Sequence, residues 1–214
     1  MEFEILHRAD PGAPCVYLFG TEDMPPLPGG FPASIIAVSV PDWGRDLSPW
    51  PAPSMGDMAF SGGGPAFLRH FLADVLPKAE EALGSVPRAR FAAGYSLAGL
   101  FSVYALLETG AFRGCACMSG SLWYPGWAEY LRRAALPPLP VFFYCSVGKK
   151  EGQTRRAPFS ALEQGIADTL AFFQGTGAEC REERFPGGHF QGVPERVLAG
   201  LTALADAGRK MNDA

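Results

Sequence analysis

One serine stands in a setting that would make it a nucleophile. The hexapeptide GYSLAG (94–99) joins an apolar, strand-like run, ARFAAGY, to a helix-like run of small apolar residues, SLAGLFSVYALLETG. In a nucleophile elbow the serine occupies a tight strand-to-helix turn, and only small residues fit two positions before and after it. Gly94 and Ala98 meet this requirement. The N–H of Leu97, at the helix start, would face a developing oxyanion, so the pattern predicts that Ser96 is a catalytic nucleophile.

Two other interpretations of this hexapeptide fit its residues less well. Ser96 could simply cap the helix, as serines often do, but a cap does not need small residues on both sides. A phosphate-binding loop would need Lys and then Ser or Thr after Gly99. Leu100 and Phe101 stand there instead, which argues against nucleotide binding.

A serine nucleophile needs a base, and the sequence offers three histidines. His7 lies in the first predicted strand, and His70 lies in a predicted helix among apolar residues, where a structural or surface role is favoured. His189 lies in the loop GGHF, after the last predicted strand and before the last helix. Flanking glycines would let that backbone direct the imidazole toward the strand ends. We therefore expect His189 to be the base rather than a surface residue of its loop.

The third member of such a set is a carboxylate that holds the imidazole, lying between the serine and the histidine in chain order. Glu151 follows the apolar run VFFYCSVG after two lysines, and we expect it to be this acid. The alternative is that KKE is a solvated charge cluster, in which case Glu182 or Glu183 takes the role.

The second oxyanion donor should come from the loop after the strand CVYLFG. This position makes the backbone N–H of Gly20 or Thr21 the candidate donor. Backbone donors leave little trace in a sequence, so the prediction depends on this position alone.

Three residues are candidates for binding the substrate. Arg45, in GRDLSPW, could hold an anionic group, and Trp123, in GSLWYPGW, could form a wall of the acyl pocket. Tyr95, next to the serine, is the third candidate. For Arg45 the alternative of an ion pair with Asp46 that holds its own loop together is slightly favoured.

The elements that would position these residues alternate between strands and helices. MEFEILHR has period two and predicts a strand near a sheet edge, whereas CVYLFG and SIIAVSV are continuous apolar runs typical of buried parallel strands. The stretch 41–65 predicts an ordered segment without regular structure, and 66–83 predicts an amphipathic helix that Pro77 could bend. From residue 89 onward strand and helix alternate without a break. The fold class is therefore α/β, with a mostly parallel sheet and helices on both faces.

Composition narrows the range of functions. With 214 residues, 48% apolar residues and a net charge of −4, we expect one globular domain over residues 1–214 and no nucleic-acid partner. No apolar run reaches membrane-span length, the N-terminus is unlike a signal peptide, and no metal or cofactor is expected. The oligomeric state stays open, with a homodimer as one option. The cysteines are odd in number and mostly lie in apolar runs: Cys15, Cys115, Cys117, Cys145 and Cys180. This pattern favours buried free thiols in a reducing compartment, so a cytoplasmic location is expected.

These segments together resemble an esterase family of α/β-hydrolases that includes enterochelin (siderophore) esterases and, more distantly, S-formylglutathione hydrolase and mycolyltransferases. The resemblance covers about residues 15–205 and depends on GRDLSPW, GYSLAGLFSVYALLETGAFRG, MSGSLWY, SVGKKE and GGHFQGVPERV. The chain differs from the family pattern at Ala98, Tyr95, Phe19 and Gly120. Relative to the family, the chain starts within the second strand.

The resemblance implies a compact α/β-hydrolase domain without a separate cap, with Ser96, His189 and Glu151 as the triad. It implies a serine hydrolase that cleaves a small-molecule carboxylic ester, with a siderophore ester as one option. An acyltransferase with the same triad, or a non-catalytic binding module of this fold, are the alternatives.

Overall fold

The computed structural model describes residues 2–20, 24, 26–153 and 157–211. Thr21, one of the two predicted second oxyanion donors, lies outside the described residues. The strands, in chain order, are β1 (Phe3–His7), β2 (Cys15–Phe19), β3 (Ser34–Val38), β4 (Pro51–Met55), β5 (Met58–Ser61), β6 (Arg90–Tyr95), β7 (Gly114–Met118), β8 (Phe142–Gly148) and β9 (Glu179–Phe185). The α-helices are α1 (Trp43–Asp46), α2 (Gly64–His70), α3 (Leu76–Leu83), α4 (Leu97–Glu108), α5 (Trp127–Leu131), α6 (Leu162–Gly175) and α7 (Val193–Lys210).

Seven strands form one twisted sheet in the order β1-β3-β2-β6-β7-β8-β9. Strand β1 lies at one edge of the sheet, as its period-two pattern predicted, and pairs antiparallel with β3. All the other pairs in this sheet are parallel. The carboxyl ends of the parallel strands therefore share one edge of the sheet, and β6, which precedes Ser96, lies near its centre.

Both faces of the sheet are covered, and the chain is α/β as predicted. Helix α7 and the segment around Phe31 pack on one face, against alternate side chains of β2, β6, β7 and β8. Helices α2 to α6 pack on the other face. The central strands β2, β3, β7 and β8 are buried on both faces, which explains their continuous apolar sequences. Within the described residues, no helix has the length and apolar character needed to cross a membrane.

The segment between β3 and β6 corrects one prediction and adds detail to another. The stretch 41–65 was expected to lack regular structure, but it forms α1 and then a hairpin of β4 and β5, joined by the two-residue turn Gly56-Asp57. A glycine at positive φ suits the first position of such a turn. The helix expected over 66–83 is confirmed, since helical conformation runs without a break from α2 through a π-helical turn over Phe71–Val75 into α3. The π-helical turn ends two residues before Pro77, whose ring removes an N–H donor and crowds the preceding turn.

Candidate active site

Ser96 lies in the sharp turn between β6 and α4. Its backbone has φ 58° and ψ −121°, a conformation that non-glycine residues rarely adopt and that costs on the order of 1–3 kcal/mol. The surrounding structure fixes it: the Ser96 N–H donates to the Met118 carbonyl at 2.9 Å, and the Ser96 carbonyl accepts from the Ser121 N–H at 3.0 Å. A Cβ on Gly94 would lie 2.4 Å from the Ala98 carbonyl carbon. This contact is the physical reason for the small residue that the elbow pattern requires.

The structure brings Ser96, His189 and Glu151 into one hydrogen-bonded chain. The His189 Nδ1 lies 2.8 Å from Glu151 Oε2, and its Nε2 lies 3.0 Å from Ser96 Oγ. A carboxylate can only accept, so Nδ1 carries the proton in the neutral ring and Nε2 accepts from the Ser96 hydroxyl. This is the arrangement in which an imidazole can remove the serine proton.

The two alternative acids lie elsewhere. Glu182 pairs with Arg184 on strand β9, at 2.7 Å between Glu182 Oε1 and Arg184 Nε. Glu183 accepts from the Tyr144 hydroxyl and pairs with Arg181. The structure therefore places Glu151 against His189, and not Glu182 or Glu183.

Glu151 is nearly buried, and donors converge on one of its oxygens. Its Oε1 accepts from the Gly148 N–H at 2.7 Å and from the Ser119 hydroxyl at 2.9 Å. Burial raises the pKa of Glu151, but hydrogen bonds from His189 and Gly148 outweigh this effect and bring the pKa below its ordinary value. The carboxylate is therefore ionised at neutral pH and ready to hold an imidazolium ion.

Arg196, on helix α7, is a buried residue of this site that the sequence reasoning missed. Its side chain is fully buried, and its Nη1 lies 2.7 Å from Glu151 Oε1, 2.6 Å from Ser119 Oγ and 2.8 Å from the Tyr95 hydroxyl. Its Nη2 donates to the carbonyls of Gly188 at 2.8 Å and Gln191 at 2.6 Å, on either side of His189. One guanidinium thus links the acid to the loop that carries the base.

We expect Arg196→Met to lower the free energy of unfolding by about 3–5 kcal/mol, because it leaves the buried Glu151 carboxylate without its cationic partner. Urea unfolding, followed by far-UV circular dichroism, measures this loss. Arg209→Met, on the same helix, is the matched control: its ion pair with Asp206 is exposed and should contribute less than about 1 kcal/mol. Equal stability of Arg196→Met and wild type would show that Arg196 does not hold the site together.

One of the predicted oxyanion donors is available and another is not. Leu97 is the first residue of α4, so its N–H has no partner within the helix, and Leu97 lines the cavity together with Ser96. The Gly20 prediction is wrong: its N–H donates to the Val38 carbonyl at 3.2 Å, because Gly20 extends the pairing of β2 with β3 by one residue. Gly20 still lines the cavity described below.

Solved structures with a similar chain path include an IroE-like serine hydrolase from Shewanella oneidensis, with a TM-score of 0.72 and 18% identity over 90% of this chain and 70% of that one. The siderophore hydrolase EstB from Aspergillus nidulans has a TM-score of 0.71 and 16% identity over 92% of this chain and 86% of that one. The enterobactin and salmochelin hydrolase IroE has a TM-score of 0.63 and 22% identity over 94% and 84%. The chain has the α/β-hydrolase fold.

The sequence comparison matches a smaller part of the chain than the structural comparisons do. The uncharacterized protein YbbA of Bacillus subtilis (strain 168) is 32% identical over 119 residues, which is 52% of this chain and 47% of YbbA. The matched part thus spans about half the length of that curated relative. No family model matches this chain.

The three predicted substrate-binding residues lie in different places in the structure. Trp123 lines the cavity in front of Ser96. Tyr95 also lines it, but its hydroxyl donates to the His189 carbonyl at 2.5 Å and so holds the histidine loop. Arg45 lies outside the cavity lining, and its Nε donates to Asp46 Oδ1 at 2.7 Å. For Arg45 the structure agrees with the alternative, an ion pair within its own loop.

The cavity has a volume of about 520 Å³ and opens over the Ser96 hydroxyl. Ser96, His189 and Glu151 all contribute to its lining. Phe190, next to His189, lies at its rim and is 88% exposed. A volume in this range accepts a small organic molecule.

Proposed function

We propose that this α/β-hydrolase is a serine hydrolase that cleaves carboxylic esters through an acyl-enzyme on Ser96. The observation that carries the proposal is the hydrogen-bonded chain from Ser96 Oγ through His189 to Glu151, at the floor of an open cavity. A serine that only capped its helix would need neither the strained turn nor the imidazole. Esterases and siderophore hydrolases of the same fold support the proposal.

The first half of the reaction forms the acyl-enzyme. His189 Nε2 takes the proton of the Ser96 hydroxyl as Oγ attacks the ester carbonyl carbon, and the Leu97 N–H stabilises the resulting oxyanion. The imidazolium is stabilised by the ionised Glu151. His189 then gives the proton to the departing alkoxide, so that the C–O bond breaks and an alcohol leaves.

The second half releases the acid. Water takes the place of the alcohol, His189 removes a proton from it, and the hydroxyl oxygen attacks the acyl carbon. The Ser96 Oγ leaves with that proton, which restores the enzyme and gives a carboxylic acid. No cofactor enters these steps, and the cytoplasmic location predicted from the sequence stays a prediction. Because EstB, which has a similar structure, is named a siderophore hydrolase, siderophore esters belong among the first compounds to assay.

A fluorophosphonate probe tests the activated serine without knowledge of the substrate. We expect the intact mass of wild type to increase by one adduct, because an activated Ser96 displaces fluoride from phosphorus. The Ser96→Ala variant should gain none. A wild-type protein that takes no adduct while a known serine esterase is labelled in the same tube would contradict the proposal and favour the binding-module alternative.

A further inference from the structure

The cavity beyond the catalytic serine is walled by apolar side chains. Its polar groups are concentrated at the catalytic end, where Ser96, Ser119, Glu151 and His189 lie. Away from that end the lining is aromatic and thioether: Trp43, Met55, Met58, Phe60, Trp123 and Phe159. Burying a polar or charged group against such walls is costly unless it finds a partner.

One side of the cavity is built by α1 and the β4–β5 hairpin. Trp43 begins α1, and Met55 and Met58 flank the hairpin turn. The hairpin is fixed to the segment after β7, because the Phe60 and Tyr124 rings lie 5.3 Å apart and nearly perpendicular. A rigid aromatic base with methionines at its edge suits apolar groups of variable shape, because methionine is flexible and polarizable.

The topology assigns this wall to the acyl side of the ester. His189 and Glu151 follow β9 and β8, on one side of β6. Trp43 lies on the other side, with its ring against Gly20 at the end of β2. The hairpin spans the cavity from α1, where Met58 lies against Gly44, to the segment after β7. The group that protonates the leaving alcohol is His189, so the alcohol must leave on its side. The acyl chain then extends away from His189, toward Trp43, Met55 and Met58.

The charges of the residues that line the cavity favour an uncharged acyl chain. Among the described residues that line the cavity, the acidic side chain is Glu151, and no lysine or arginine is present. A carboxylate on the acyl chain would thus be desolvated without a cation in this part of the lining. An uncharged chain avoids this cost.

We propose that α1 and the β4–β5 hairpin form an acyl pocket for uncharged, apolar acyl groups of about four or more carbons. This inference rests on the proposed ester hydrolysis and names its substrate class. Each methylene buried in the pocket should raise kcat/KM about fourfold until the pocket is filled. Butyrate should therefore exceed acetate by about 15-fold.

The test uses p-nitrophenyl esters, in which the leaving group is constant and only the acyl chain changes. Acetate, butyrate, pentanoate and hexanoate measure the effect of chain length. The hemisuccinate ester, close to pentanoate in size but carrying a carboxylate, measures the effect of charge. We expect wild type to prefer pentanoate to hemisuccinate by about a hundredfold or more in kcat/KM.

A variant of the wall locates this preference. Met58→Lys should place a cation beside the acyl chain and lower the pentanoate-to-hemisuccinate ratio by about tenfold. Val86→Lys is the matched control, because it makes the same charge change at an exposed residue outside the cavity lining. It should leave the ratio unchanged. If Met58→Lys does not fold, the wild-type ester series still decides the question.

The outcomes separate the two proposals. Labelling of Ser96 by the fluorophosphonate with a flat acyl profile, or with hemisuccinate preferred, would overturn the acyl-pocket inference and leave the hydrolase proposal intact. Neither labelling nor hydrolysis of any ester would overturn both. Three results together with labelling would establish the pocket. The value of kcat/KM should rise at least about tenfold from acetate to butyrate. The pentanoate-to-hemisuccinate ratio should fall in Met58→Lys and stay unchanged in Val86→Lys.

Discussion

Ser96→Ala should lower kcat for ester hydrolysis by at least about 10⁴-fold while leaving the fold intact. Members of a triad act as a unit, and removal of the nucleophile leaves only what the oxyanion donor and binding contribute. Alanine retains the Cβ and must adopt the same φ of 58°, so the strain of the turn is unchanged. The hydroxyl that is lost has His189 as its partner. Steady-state kinetics on the best ester of the series measures the effect.

Two controls make this result specific. Ser39→Ala removes an exposed serine outside the cavity lining and should behave as wild type. The double variant Ser96→Ala/His189→Ala should be no slower than Ser96→Ala by more than a few-fold, because the base has no function without its nucleophile. A loss below about tenfold in Ser96→Ala would show that another group is the nucleophile.

The turn that holds the candidate nucleophile could be predicted from the sequence because its requirements are local. A serine between a buried strand and a helix, with Gly94 and Ala98 around it, specifies its own backbone geometry within five residues. His189 followed from the small number of histidines and from its place after the last strand. The Glu151 prediction needed only that an acid lie at a strand end between the two.

Other features depend on contacts that the chain order hides. Arg196 was missed because an arginine in a helix usually faces solvent. A signal was nevertheless present: Arg196 is three residues after Val193 and one before Val197, on the apolar face of α7. The Gly20 error has a different cause, since its N–H is used by a strand pairing that the local sequence does not reveal.

The β4–β5 hairpin shows how one signal can mask another. Pro51 and Pro53 are unfavourable residues for a strand, since proline cannot donate to a ladder. They are tolerated because this strand pairs in a two-stranded sheet and is largely exposed. Gly56-Asp57 between two methionines was the hairpin signal, and the proposed acyl wall depends on it.

Glu151→Gln should lower kcat by about 10³–10⁴-fold, less than Ser96→Ala, through the tautomer of His189. The Oε1 position faces donors from Gly148, Ser119 and Arg196. The glutamine carbonyl oxygen must therefore occupy that position, and the amide NH₂ must face His189 Nδ1. Two donors cannot face each other, so Nδ1 must lose its proton to Nε2.

That tautomer turns the base into a donor toward Ser96 Oγ, and the serine proton no longer has an acceptor. The effect on catalysis thus arises without loss of the site's shape, and urea unfolding should show a folded protein.

Glu151→Asp keeps the charge but withdraws the carboxylate by one methylene, so it should lower kcat by about 10²-fold. Glu182→Gln, which alters an acid outside the chain of hydrogen bonds, should retain wild-type kcat. We expect kcat to be lowest in Glu151→Gln, intermediate in Glu151→Asp and highest in Glu182→Gln. This order separates tautomer control from a general effect of negative charge, because a charge effect alone would leave Glu151→Asp active. Wild-type turnover in Glu151→Gln would place the acid elsewhere.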